Sequence, residues 1–80
     1  MFSVTRKSEY RDEATDAVRT VDEHVFPAES VMAAAIRLCQ CADGTYKVTS
    51  YHGSEPPALV VVADRKATVS QYGRSFVVEP

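Results

Sequence analysis

Two cysteines and two histidines are the side chains of this chain best suited to binding a metal ion. Cys39 and Cys41 are separated by one residue, and His24 and His52 lie on either side of them in the sequence. Thiolates and imidazoles are common zinc ligands, but structural zinc sites usually space their cysteines by two to four residues. On a helix, residues two apart point about 200° from each other and cannot reach one ion, whereas on a strand they share a face. A zinc site therefore requires that this segment be a strand, and a small zinc protein is the weakest of the functions considered.

The remaining polar residues do not indicate catalysis. His52 lies beside Tyr51 and Ser54 in a loop, but the sequence has no G-x-S-x-G motif and no spacing that would place a base against a nucleophile. The three glycines are far apart, and each is explained by a turn, so no phosphate-binding loop is present. We therefore expect a protein without enzymatic activity and without a cofactor.

Length and composition limit the classes of protein that this chain can represent. Its 80 residues suit one small domain, residues 1–80, and its 45% hydrophobic and 25% charged residues are typical of a globular chain. The net charge is −2, without a basic half, so nucleic acid is not the expected partner. The longest apolar run, residues 58–63, is far shorter than the roughly 20 residues of a membrane span. The absence of a signal-peptide pattern and of distant cysteine pairs favours a cytoplasmic protein.

The segment of residues 27–44 is predicted to be the central helix. Proline suits the first helical position, Glu29 complements the helix dipole in the first turn, and Gly44 can end the helix. Apolar residues recur at spacings of three and four, and a run of three alanines favours a helix. The side chains expected to face inward are Val31, Met32, Ala35, Ile36 and Cys39.

A second helix is predicted before it, over residues 8–25. Ser8 is a suitable N-cap, and acidic residues in the first turns with His24 in the last turn complement the helix dipole. An apolar stripe at helical spacing is formed by Tyr10, Ala14, Ala17, Val18, Val21 and Val25.

After Gly44 the hydrophobic period falls from 3.6 to two, which predicts strands over residues 45–51, 59–63, 67–72 and 76–78. The predicted fold is therefore α+β, with two N-terminal helices packed on one face of a three- to four-stranded antiparallel meander. An alternative keeps only the helix over residues 8–25. It makes residues 31–41 a strand of a larger sheet, with a hairpin loop at residues 42–45.

The sheet face opposite the helices is the candidate binding surface. By alternation, we expect helices to cover Tyr46, Val48, Leu59, Val61, Val69, Phe76 and Val78. The opposite face would then carry two tyrosines and three valines among small hydroxyl residues, a composition that resembles an interface core. The residues predicted to bind a partner or a second copy are Tyr51, Val60, Val62, Tyr72 and Val77.

These observations favour a small binding protein that regulates or inhibits a protein partner by direct contact, or that forms a homodimer. Accessory proteins of phages and mobile elements are often compact chains of this size. The alternative is a nucleic-acid-binding module of the winged helix-turn-helix type, with Arg65 and Lys66 at the tip of the wing and Arg37 and Arg74 on phosphates. The negative net charge and the single basic residue of the predicted helix over residues 27–44 argue against it.

Overall fold

The computed structural model describes residues 1–53 and 55–80, and this part of the chain contains six β-strands and one helix. The strands are β1 (Phe2–Asp12), β2 (Ala17–Ala28), β3 (Gly44–Ser50), β4 (Ala58–Ala63), β5 (Lys66–Gln71) and β6 (Arg74–Val78). Helix α1 (Val31–Leu38) connects β2 to β3. All neighbouring strands are antiparallel, and their order in the sheet is β2-β1-β3-β4-β5-β6. The two edges of the sheet are therefore β2 and β6.

The predicted helix over residues 8–25 is wrong, because this segment forms most of the β1–β2 hairpin. Its loop is closed by Asp12, whose Oδ1 accepts a hydrogen bond from the Ala14 N–H at 3.0 Å. The Asp12 carbonyl accepts a second bond from the Asp16 N–H at 2.7 Å, and Asp16 adopts a positive φ of 56°. Asp tolerates this backbone region better than most residues and is common in turns. Turn chemistry and the β-branched residues of β2 outweigh the helical spacing.

Helix α1 lies within the predicted central helix, but its orientation differs from the prediction. Ser30 caps it by accepting a hydrogen bond from the Ala33 N–H at 3.0 Å. The buried side chains are Ala34, Ala35, Leu38 and Cys39, whereas Met32 and Ile36 are exposed by 47% and 54%. The inward placement of Met32 and Ile36 is therefore wrong. Alanines on the buried face allow the helix backbone to approach the sheet closely, while the side chains of Met32 and Ile36 point to solvent.

Both predicted architectures are wrong. The structure has one short helix on a six-stranded sheet, not two helices on a three- to four-stranded meander. The alternative also fails, because α1 occupies most of the segment that it made a strand. Strands β3 to β6 do follow one another as an antiparallel meander, and the β1–β2 hairpin extends the sheet beyond β3.

The core lies between α1 and the sheet. Its sheet residues alternate along each strand, as Val60 and Val62 do in β4 and as Ala67 and Val69 do in β5. At the end of α1, the Cys39 thiol donates a hydrogen bond to the Val78 carbonyl at 3.3 Å and so links the helix to β6. Within residues 1–53 and 55–80, no helix has the length and apolar character needed to cross a membrane.

The orientation of α1 predicts different costs for two aliphatic residues on it. Leu38 is fully buried, so Leu38→Ala should lower the free energy of unfolding by about 2–5 kcal/mol. The matched change Ile36→Ala removes an exposed side chain and should alter stability by less than about 0.5 kcal/mol. Urea titrations of both variants measure the difference. Equal losses, or a larger loss for Ile36→Ala, would mean that α1 packs through another face.

Candidate protein-binding surface

The sheet face turned away from α1 has a centre without charged residues. We call this centre the outer face, and it consists of Thr45, Leu59, Val61, Thr68, Ser70 and Val77. Register pairs Thr45 with Val61, Val61 with Thr68 and Thr68 with Val77, so these four residues form one row across β3 to β6. Leu59, in the next row, lies opposite Ser70. The aliphatic side chains in this group remain about half exposed, at 50% for Leu59, 47% for Val61 and 56% for Val77.

Basic residues border the outer face. Lys47 lies directly opposite Leu59, and Lys66 lies at the start of β5 on the same side of the sheet. Beside Lys47, where β1 separates from β3, a groove of about 220 Å³ is lined by Lys7, Asp22 and Leu59 among others. The side chain of Lys66 pairs with Glu79 at 3.6 Å, while both stay largely in water. The outer face is thus an uncharged strip with lysines on its border.

The five predicted site residues are not brought together. Val77 lies on the outer face, but Val60 and Val62 are buried beneath α1, with exposures of 0% and 1%. Tyr51 and Tyr72 are exposed in turns at the end of the sheet, where the Gln71 amide donates to the Pro56 carbonyl at 2.9 Å. The assignment of Val60 and Val62 to an exposed surface is therefore wrong. The exposed positions that were predicted for Val60 and Val62 are taken by Leu59 and Val61.

The two faces of β4 were exchanged in the prediction because the predicted β4–β5 turn is one residue too long. Both alternating sets of β4 are aliphatic, so composition does not tell which set faces inward. The β4–β5 loop consists of Asp64 and Arg65 alone, with φ of 52° and 64°, and Ala63 pairs with Lys66. Such two-residue turns, with both φ values positive, are favoured in hairpins. A turn that includes Lys66 shifts the register by one residue and turns every β4 side chain to the other face.

The outer part of the β1–β2 hairpin extends beyond the rest of the sheet. We call residues 7–12 and 17–22 the arm, since β1 pairs with β3 only as far as Arg6. Six residues per strand give the arm a length of about 20 Å. Arg19 pairs with Asp12 at 3.1 Å, and Arg11 pairs with Asp16 of the loop at 3.4 Å; both pairs lie at the surface and contribute little. A two-stranded ribbon without a core is marginally stable in water, so the arm is the least stable part of the sheet.

A polar cluster holds the base of the arm. The Glu23 Oε2 atom accepts hydrogen bonds from the Ser8 hydroxyl at 2.7 Å and from the Arg6 Nε–H at 3.3 Å. The Ser8 bond, followed by the Arg6 bond and charge, lowers the pKa of Glu23, and the bond to Glu23 raises the pKa of Arg6. Each of these interactions is stronger with the ionised carboxylate, which is the form present at neutral pH.

The structure also bears on the two alternative functions. Winged helix-turn-helix recognition needs adjacent helices, but the segment predicted as the first helix is a β-hairpin, and the Arg37 guanidinium stacks on the Phe26 ring at 4.2 Å. Cys39 is buried at the C-terminal end of α1. Among the residues that the structure describes, no group of three or more His, Cys, Asp or Glu side chains is placed to hold a metal ion.

Comparison of the chain with protein-family models, with curated proteins and with solved structures found no match. Function therefore has to be inferred from the surface of the molecule itself.

The cluster at the base of the arm predicts a pH effect. Because folding lowers the pKa of Glu23, its ionised form stabilises the fold above the unfolded pKa, and this contribution is lost as pH falls through the folded pKa. Ser8→Ala removes the strongest hydrogen bond and should move the pKa of Glu23 upward in an NMR titration. Ser70→Ala, on the outer face, is the matched control and should leave it unchanged. An unaltered pKa in the Ser8 variant would show that the bond is not formed in solution.

Proposed function

We propose that this chain is a non-enzymatic protein that regulates or inhibits another protein by binding it with the outer face. The observation that carries this proposal is the uncharged row across four strands, with Val61 and Val77 about half exposed in it and Leu59 beside it. Apolar centres with polar borders are typical of protein interfaces.

The side chains of the outer face suit binding to a second surface. Valine and threonine are β-branched and restricted at χ1, so they lose little conformational freedom when a partner covers them. They also stand on strands that are paired on both sides in β3, β4 and β5, which keeps the surface close to its bound shape. Threonine and serine hydroxyls beside the aliphatic groups can supply hydrogen bonds that orient the partner.

The border of the outer face indicates the chemistry of the partner. A stable interface usually buries about 800 Å² on each side, more than six small residues provide. Contact therefore extends over Lys47 and into the groove beside it, which Lys7 also lines. Lys66 already pairs with Glu79, and Lys7 lies opposite Asp22. A partner with an aliphatic centre and an acidic residue that faces Lys47 therefore fits this arrangement, and charge complementarity speeds association.

A pair of charge insertions tests the outer face. Val61→Glu places a carboxylate in the centre of the proposed interface, whereas the control Ile36→Glu places one on the exposed side of α1. Both variants should fold, because both side chains point to solvent. Affinity capture from the native host, quantified by mass spectrometry, should recover a partner with the unmodified chain and with Ile36→Glu but lose it with Val61→Glu.

The same experiment can contradict the proposal in two ways. Recovery of the same proteins by Val61→Glu and by the unmodified chain would show that the outer face is not the binding surface. Loss of a partner only in Ile36→Glu would assign binding to α1. Circular dichroism of each variant is the control that separates a loss of binding from unfolding.

A further inference from the structure

A groove lies on the α1 side of the sheet, at the end where β5 turns into β6. Its volume is about 530 Å³, and its lining side chains are Gln71, Tyr72, Arg74 and Phe76. We call it the β6 groove. It lies on the other side of the sheet from the outer face, because Arg74 and Phe76 alternate with the outward-facing Val77 along β6. A groove of this volume can hold a molecule of about the size of a nucleotide.

Helix α1 covers only the far end of β6. Cys39, directly after the helix, donates its thiol hydrogen bond to the Val78 carbonyl, and Val78 is 9% exposed. Two residues earlier, on the same side of the strand, Phe76 is 43% exposed, although Val69 opposite it is fully buried. The Phe76 ring is therefore accessible to a ligand at the uncovered end of the core.

Tyr72 has a backbone conformation that tyrosine rarely adopts. It is the first residue of the two-residue β5–β6 turn, with a φ of 55°, and the φ of Gly73 after it is 71°. Such turns favour Asn-Gly, because asparagine and glycine tolerate a positive φ, whereas a bulky side chain is strained there. Backbone strain of this kind is concentrated at functional sites. The strained turn places Tyr72, which is 64% exposed, in the lining of the same groove as Phe76.

Arg74 supplies the β6 groove with a positive charge that has no counter-ion. Among the residues that the structure describes, no carboxylate lies within ion-pair distance of its guanidinium, whereas Arg6, Arg11 and Arg19 each pair with an acidic residue. A guanidinium presents several N–H donors in one plane and so suits phosphate and carboxylate groups. Arg74 can therefore bind an anion in the groove.

The four lining side chains together define the chemistry of the ligand. Phe76 and Tyr72 offer rings on which a planar group can stack, and Arg74 offers charge-assisted hydrogen bonds to an anionic group. Gln71 donates its amide to the Pro56 carbonyl at 2.9 Å, and its own carbonyl oxygen can accept a hydrogen bond from the ligand. A single arginine suits one small molecule, because a polynucleotide needs several cations along its backbone.

We propose that the β6 groove binds a small planar anion, which is an aromatic ring that carries a phosphate or a carboxylate. The ring stacks on Phe76 and Tyr72, and the anionic group accepts hydrogen bonds from Arg74. Nucleoside monophosphates and aromatic carboxylic acids share this chemistry. The site goes beyond the proposed function and does not depend on it, since the ligand and the protein partner use opposite sides of the sheet.

The first test is an NMR titration of the full chain with four probes. Adenosine 5′-monophosphate and indole-3-carboxylate join a ring to a phosphate or to a carboxylate, whereas adenosine and indole have the ring alone. At least one of the charged probes should shift the backbone amides of residues 71–76 and bind about tenfold more tightly than its uncharged counterpart. Which of the two binds identifies the anionic group. No shift with either charged probe, binding that is as tight without the charge, or shifts confined to the outer face would overturn the proposal.

The second test repeats the titration with three variants. Arg74→Gln removes the charge and should weaken binding of the charged probe by about tenfold. The matched control Arg65→Gln changes an arginine of the β4–β5 turn, which also has no acidic partner among the described residues, and should leave binding unchanged. Tyr72→Asn gives the turn its favoured Asn-Gly sequence, so it should raise the melting temperature while it weakens binding.

These variants can contradict the proposal in separate ways. Equal losses in Arg74→Gln and Arg65→Gln would show that the probe is held by nonspecific charge attraction. Unchanged binding by Arg74→Gln, or by Tyr72→Asn, would show that the ligand does not occupy the β6 groove. Circular dichroism of each variant confirms that the comparison is made on folded protein.

Discussion

The packing of α1 on one side of the sheet is the contact on which the rest of the structure depends. The helix has eight residues and is about 12 Å long, whereas six strands side by side span about 24 Å. Its alanines, Ala34 and Ala35, bring the backbone close to the sheet, and Leu38 fills the space beside them. So short a helix cannot cover the whole of one face and covers none of the other. The arm, β6 up to Val77 and the outer face therefore remain exposed.

These exposed regions differ in their chemistry. The arm carries charged residues, some of them in local ion pairs, and presents a two-stranded ribbon to water. The outer face is uncharged, and three of its four strands are held by neighbours on both sides. Strand β6 combines an open backbone with Phe76 and Val77 on its two sides.

Local signals predicted part of this fold. The helix around Ala34 and the alternating strands after Gly44 were accessible from the sequence, because each has one side packed against the core. The β1–β2 hairpin was not accessible from the sequence. Both sides of its arm face water, so apolar and polar residues do not have to alternate there. Its apolar residues fall at helical spacing without forming a helix. The turn at Asp12 to Asp16 was the available signal, since Asp12 accepts bonds from two backbone N–H groups.

The residues of the candidate site were also predicted only in part from the sequence. Of its predicted residues, Val77 was placed correctly on the face away from α1, while Val60 and Val62 were exchanged with Leu59 and Val61. Four consecutive aliphatic residues do not reveal which pair is buried. The decision lies in the Asp64-Arg65 turn, whose two residues fix the pairing of Val60 with the buried Val69.

Nuclear Overhauser contacts from the Leu38 methyl groups test this central packing most directly. In the isolated chain, Leu38 should show contacts to methyl groups of the buried set on β4 and β5, which includes Val60, Val62 and Val69. Leu59 should show contacts to Lys47 and Ser70, and Val61 to Thr45 and Thr68, on the neighbouring strands. Neither residue should show a contact to α1. Contacts from Leu38 to Leu59 or Val61 would contradict the account, because α1 would then cover the surface that we assign to partner binding.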